Sequence, residues 1–203
     1  MRVLLLGSGG REHAIGWKLA QSPLLTELIS CPGNPGLAHH GRTVTEVDPT
    51  DPMAVASLAV EEAVDLVVIG PEAPLAAGVA DALRQAGVPV FGPGADGAML
   101  EASKSFANDI MAAAGVPTGA SWTFSDRATA IAHLRSMTGP YVVKADGLAA
   151  GKGVLVCASL DDAEAWVDRC LDGSFGPDGG TVVIEEHMTG DEVSVFFLCA
   201  AGT

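Results

Sequence analysis

The chain has 203 residues, 48% of them hydrophobic and 18% charged, a balance that excludes a disordered chain and suits one large domain or two small ones. Its 25 acids against 11 bases leave a net charge of −14. That charge opposes nucleic acid and anionic lipid, so an anionic ligand must be held by locally placed cations and backbone amides.

The first hundred residues alternate short apolar runs with helical patterns. RVLLL (2–6) reads as a buried strand, followed by GSGG and a helix over about 11–21. LTELISC (25–31) is a second strand ending at PGNPG, and TVTEV (43–47) a third, with a helix over 52–62. DLVVIG (65–70) is a fourth, followed by PEAP and a helix to about 85, and VPVFG (88–92) is a fifth. Strands apolar on both faces with helices between them predict a parallel sheet covered on both sides. Right-handed crossovers then bring GSGG, PGNPG, GPEAP and FGPG to one sheet edge, where such folds bind ligands.

A helix over 103–114 leads to a different pattern. SWTF (121–124), a helix over 126–136, YVVKA (141–145), GVLVC (153–157), a helix over 160–171 and TVVIEE (181–186) form a βαββαβ run. DEVSVFFLC (191–199) alternates as one further strand. The boundary between the two patterns falls between 93 and 120. Trp17 and Trp166, both on helices, read as core or half-buried packing.

No run approaches the roughly 18 apolar residues of a membrane helix, and VLLL after Met1-Arg2 is too short for an export signal. Cys31, Cys157, Cys170 and Cys199 lie far apart without a CxxC pair and read as reduced thiols, which places the chain in the cytoplasm. His39 and His40 have no Cys or acid at ligand spacing and read as loop.

KADGLAAGKGV (144–154) is the strongest chemical signal. It is not a Walker loop: only three residues separate Gly147 from Gly151, Gly153 follows Lys152 where Ser or Thr belongs, and a strand follows instead of a helix. It reads as a glycine-rich hairpin folding over nucleotide phosphates, with Lys144 on the neighbouring strand adding charge. GSGGREH is weaker. Gly7 and Gly9 fit a dinucleotide fingerprint, but Glu12 stands at the third glycine. Arg11 at a helix start suits a phosphate monoester, while a tight turn with a surface arginine and an NAD site stay open as readings.

VLLLGSGGREHAIGWKLAQSP, PGNPG, DLVVIGPEAPLAAGV, VFGP, EASKSFANDIM, VVKADGLAAGKGV and VVIEEHMTGDEVS run in order along the whole chain. Together they resemble the phosphoribosylamine–glycine ligases of the ATP-grasp superfamily. The resemblance implies an α/β fold: a Rossmann-like parallel-sheet domain over 1–102, a linker helix over 103–118, and an ATP-grasp lid subdomain with the start of the grasp core over 119–203. It implies ATP-driven ligation of glycine to 5-phosphoribosylamine through an acyl phosphate, with small-molecule substrates and a monomeric full-length form.

The same resemblance implies residue roles. Lys104 and Lys144 are similar to the two ATP-contacting lysines. Residues 146–153 resemble the loop that closes over the phosphates, with Gly147, Gly151 and Gly153 as its glycines and Lys152 at its tip as the catalytic candidate. Glu185, Glu186 and Met188 match the hinge that receives adenine, the latter two through backbone groups, and His187 is a hinge side chain facing solvent. Glu192 matches the carboxylate that holds the ribose hydroxyls. Gly9, Gly10, Arg11, Asn34, Pro71 and Glu72 are similar to the phosphoribosylamine-side loops. The family is about twice as long, and its Mg²⁺ ligands are expected beyond residue 203. The chain is therefore expected to be a fragment inactive alone, with another ATP-grasp carboxylate ligase or a non-catalytic adenine-nucleotide module as the alternatives.

Overall fold

The computed structural model describes residues 1–149, 151–175 and 180–198, which divide into two units. The first comprises Met1–Gly115 together with Asp146–Gly151, and the second Val116–Ala145 with the described residues from Lys152 onward.

In the first unit β1 (Arg2–Gly7), α1 (Gly10–Leu19), β2 (Glu27–Pro32), β3 (Arg42–Thr43), α2 (Pro52–Glu61), β4 (Leu66–Ile69), α3 (Glu72–Ala76), α4 (Val79–Gln85), β5 (Val90–Phe91), α5 (Ala95–Ala102) and α6 (Lys104–Ala114) follow in order. The sheet order is β3-β2-β1-β4-β5, every pairing parallel. Leu4, Leu5 and Leu6 are all fully buried because the sheet has a core on each face. Leu4, Leu6, Ile29, Val67 and Ile69 pack with Val55, Ala59, Val79 and Leu83. Val3, Leu5, Leu28 and Val68 pack with Leu37 and with Ile15 and Leu19 of α1. Each such leucine contributes about 1.5–3 kcal/mol of burial, which holds the strand ends and their loops in place.

Sheet order reverses between β1 and β4, so the turns after these strands face each other across the switch point, the usual ligand position in open α/β sheets. The expected third strand is only two residues long, since Arg42 and Thr43 alone pair with β2 before the chain turns towards α2. The helix expected to run to about 85 is broken into α3 and α4 at Gly78, whose φ is +86°. Helix α5 occupies residues that carry no helical pattern in the sequence. Trp17 is 54% exposed rather than packed, while Trp166 lies against the second unit's core.

The second unit contains β6 (Ser121–Phe124), α7 (Arg127–Ser136), β7 (Tyr141–Ala145), β8 (Val154–Cys157), α8 (Leu160–Leu171) and β9 (Val182–Glu185). Its sheet runs β6-β9-β7-β8 and is antiparallel throughout. β7 and β8 form the expected hairpin, with Lys144 opposite Val154. Tyr141, Val143, Ala145, Val182 and Ile184 pack on Ala130, Ile131 and Leu134 of α7 and Ala163, Val167 and Cys170 of α8. Residues 191–198 form no strand, contrary to the alternation of DEVSVFFLC, and Cys199 lies outside the described residues. A strand exists by hydrogen bonding to a neighbour, and among the described residues none pairs with this segment. Phe196 is accordingly 92% exposed. No helix among the described residues is long and apolar enough to cross a membrane.

Candidate functional site

Three loops of the first unit are tied together at the sheet's switch point. Asn34 donates from Nδ2 to the carbonyls of Ser8 (2.9 Å) and Gly9 (3.3 Å), and its Oδ1 accepts from Leu37 N (2.9 Å). Its side chain therefore fastens the PGNPG loop to the turn after β1. Arg11 bridges to the other side, Nε to Glu12 Oε1 and Nη1 to Glu72 Oε1, each at 2.9 Å. The hydrogen bonds it donates, first to Glu72 and then to Glu12, raise the guanidinium's pKa further. The Arg11 hydrogen bond holds the Glu72 carboxyl below its ordinary value of 4.5. Gly9 caps α1 in extended conformation, Gly10 opens the helix, and Pro71 caps α3 just before Glu72.

Because Glu72's pKa is depressed in the folded chain, its pairing with Arg11 is present above pH 4.5 and lost as pH falls through the lowered value. Following the Glu72 side-chain carboxyl resonance between pH 6 and about 2.5 should show its transition on the acid side of 4.5. A transition above 4.5 would contradict the pairing.

The fourth loop, FGPG, is set by α4. Asp81 Oδ2 accepts from Ala95 N (2.8 Å), and Arg84 donates to the carbonyl of Gly92. The buried thiol of Cys31 donates to Val47 O, and burial with Asp48 and Glu46 nearby pushes it up to about 11, so it is a packing group rather than a nucleophile.

The glycine loop begins with a carboxylate clamp on α6. Asp146 Oδ1 accepts from the backbone N–H of Lys104 (2.6 Å), Gly147 (3.0 Å) and Ser105 (3.3 Å). Its Oδ2 accepts from the hydroxyls of Ser103 (3.2 Å) and Ser105. Burial pushes this carboxyl up, but the hydrogen bonds outweigh it and the pKa ends below the ordinary 3.8. An anion at a helix N-terminus also meets the positive end of the helix dipole. Lys104 Nζ donates to Gly147 O (2.9 Å), so the expected lysine and loop meet. Gly147 (φ +93°) and Gly151 (φ +77°) adopt left-handed conformations with open space where a Cβ would stand. Ala150, between them, lies outside the described residues.

In the second unit Lys144 Nζ pairs with Glu185 Oε2 at 2.6 Å across β7 and β9, both side chains about three-quarters buried. Glu186 N donates to Ala120 O (2.8 Å) and Glu186 Oε2 accepts from Ala120 N (3.2 Å), so its side chain is engaged with the start of β6. Met188 Sδ would lie 3.3 Å from a Cβ at Gly119. His187 is partly exposed. Lys152 and Glu192 are exposed, and Gly153 is buried, its carbonyl accepting from Ala145 N (2.7 Å).

Sequence reasoning missed Glu12, Asp81, Arg84 and Asp146 as loop-holding residues. The available signal was an acid where a fingerprint wants glycine, and an acid directly ahead of the loop's first glycine.

Residues 1–101 match the family described as "Phosphoribosylglycinamide synthetase, N domain", and residues 102–203 match "Phosphoribosylglycinamide synthetase, ATP-grasp (A) domain". A phosphoribosylamine–glycine ligase of Mesorhizobium japonicum is 52% identical over 203 residues, 100% of this chain and 48% of that protein. The crystal structure of the Thermotoga maritima phosphoribosylamine–glycine ligase superposes with a TM-score of 0.76 at 30% identity, covering 94% of this chain and 45% of that one. The biotin carboxylase domain of Hydrogenobacter thermophilus 2-oxoglutarate carboxylase, solved with MgADP, shares the fold at 16% identity with a TM-score of 0.69, covering 92% of this chain and 44% of that one. The chain spans about half the length of the curated relatives it matches. It belongs to the phosphoribosylamine–glycine ligase family.

Proposed function

We propose that this chain supplies the phosphoribosylamine-binding and nucleotide-grasping parts of a cytoplasmic ligase that joins glycine to 5-phosphoribosylamine at the expense of ATP. The products are glycinamide ribonucleotide, ADP and phosphate. The observation that carries the reading is Lys144, a cation paired with Glu185 inside an otherwise apolar strand at the base of a glycine-rich loop.

The residues fit adenine nucleotide. Lys104 and Lys144 supply charge for phosphates, and Gly147 and Gly151 let backbone amides approach an anion closely. Lys152 is the exposed cation of the loop, Glu185, Glu186 and Met188 form the adenine hinge, and Glu192 receives the ribose. Gly9, Gly10, Arg11, Pro71 and Glu72 receive phosphoribosylamine, with Asn34 holding their loops in register. Among the described residues no three His, Cys, Asp or Glu side chains converge on a metal position, so no step is assigned here to Mg²⁺.

A carboxylate is a poor electrophile. Transfer of the γ-phosphoryl group to a glycine carboxylate oxygen gives glycyl phosphate and ADP. Attack of the sugar amine on the carbonyl then forms the amide and expels phosphate, which leaves with that carboxylate oxygen. The protein's contribution is charge neutralisation, positioning and water exclusion. In the whole ligase, turnover of glycine labelled with ¹⁸O in its carboxylate should give phosphate carrying one ¹⁸O. Unlabelled phosphate would contradict the glycyl phosphate route.

A further inference from the structure

Glu12 occupies the position where a dinucleotide fingerprint has its third glycine, yet it is only 3% exposed. A Cβ on Gly7 would lie 2.5 Å from Glu12 Cγ, one on Gly70 2.3 Å from Oε1, and one on Gly9 2.9 Å from Oε2. The ends of β1 and β4 and the first turn of α1 therefore close around this one side chain, and the glycines are there to admit it. The close approach of helix and sheet that a third glycine usually permits is moved one turn along to Gly16, where a Cβ would lie 3.4 Å from Leu28 Cδ2 of β2 and Leu5 Cδ2 of β1 and 2.2 Å from Leu37 Cδ2 in the following loop.

Both carboxylate oxygens are used. Oε2 accepts from the Gly9 N–H at 2.8 Å, and Oε1 accepts from Arg11 Nε at 2.9 Å. Glu12 is the third helical residue of α1 and closes a capping box on the Gly9 N–H; a neutral glutamine fills that role equally well, so the cap alone does not explain a buried charge, which is costly without a charged partner. Arg11 is more than half exposed and carries five N–H donors, of which these contacts use Nε for Glu12 and one Nη1 for Glu72.

We propose that Glu12 is a positioning residue of the substrate-binding lip: its carboxylate fixes the turn 7–10 and orients the Arg11 guanidinium, so that the remaining donors of Arg11 meet the anionic end of the substrate. The second half of this statement rests on the proposed phosphoribosylamine site. The first half does not.

Only a carboxylate satisfies the geometry. Two donors converge on two acceptors, and glutamine offers one acceptor and one donor, so one N–H must face an NH₂ group. Aspartate is one methylene short of reaching both. The Gly9 N–H is fixed backbone, whereas the more than half exposed Arg11 side chain can turn to solvent, so Glu12→Gln keeps volume and shape, holds its oxygen on Gly9 and releases Arg11.

The test combines an arginine Nε–H spectrum with binding of ribose 5-phosphate and of ADP to this chain, wild type and variants. In the wild type the Arg11 Nε–H should exchange slowly with solvent, and fast exchange would overturn the proposal without any variant. In Glu12→Gln that protection should be lost while the core methyl spectrum is unchanged. Ribose 5-phosphate should bind about tenfold more weakly, as in Arg11→Ala, with no further loss in the double variant and ADP affinity unaltered. Retained Nε–H protection with unchanged ribose 5-phosphate affinity would overturn it, as would an equal loss of ADP affinity, which signals general destabilisation. If the wild type does not bind ribose 5-phosphate, the substrate assignment of the lip fails, and the Nε–H exchange alone still decides whether Glu12 orients Arg11.

Discussion

Replacing Asp146 with asparagine is expected to free the start of the glycine loop from α6. The wild-type carboxylate accepts from three backbone N–H groups and two serine hydroxyls. Asparagine retains one acceptor oxygen and places an NH₂ group where the other oxygen accepted. Losing two charge-assisted hydrogen bonds costs about 3 kcal/mol, which is more than a hundredfold in local opening. Amide hydrogen exchange at Lys104, Ser105 and Gly147 should accelerate by that factor, while Leu4 and Leu5 in β1 keep their protection. Equal acceleration throughout would mean general destabilisation. The pH dependence has a defined sign. Asp146's pKa is lowered on folding, so its contribution is complete above 3.8 and disappears as pH falls through the lowered value. Loop protection should thus be flat near neutrality and fall only at acid pH.

The second large effect is expected at Lys144. Substitution by alanine removes the one cation of the strand YVVKA, and leaves the Glu185 carboxylate three-quarters buried without its 2.6 Å partner. Desolvation of that unpaired charge costs about 2 kcal/mol of stability in the second unit. Adenine-nucleotide affinity should fall about a hundredfold, because a charge-assisted contact to phosphate is lost. Titration calorimetry with ADP separates the two effects, and Lys144→Ala/Glu185→Ala should recover stability without recovering affinity. Unchanged ADP affinity in Lys144→Ala would remove this lysine from the nucleotide site.

What could be read from the sequence follows from how local each signal is. RVLLL and DLVVIG announce strands because both faces of the sheet are covered, so their residues are apolar without alternation. Lys144 was legible because a charge in an apolar strand demands a partner, although the partner, Glu185, is distant in sequence and could not be paired with it by spacing. TVTEV alternates like a strand, yet β3 pairs only through Arg42 and Thr43, and Val44 turns into the core. DEVSVFFLC misled for the same reason: alternation records two faces, not a hydrogen-bonded neighbour. ADGAMLEA hid α5 because its small residues give no clear apolar stripe. Among the site residues, Arg11 was legible as a cation at a helix start, but its two carboxylate partners, Glu12 and Glu72, were not, because Glu72 lies 61 residues away in sequence. Glu12 looked like a departure from a fingerprint and is instead the buried post around which that turn is built.

The nucleotide reading is tested most directly by a parallel thermal titration of this chain with ADP, a non-hydrolysable ATP analogue with Mg²⁺, and NADH. A ligand at about 100 times its dissociation constant adds roughly 2.7 kcal/mol, on the order of 5–11 °C for a chain of this size. That shift is expected with the adenine nucleotides, is lost in Lys144→Ala, and is absent with NADH. A shift with NADH alone would contradict that reading and return the turn after β1 to a dinucleotide site.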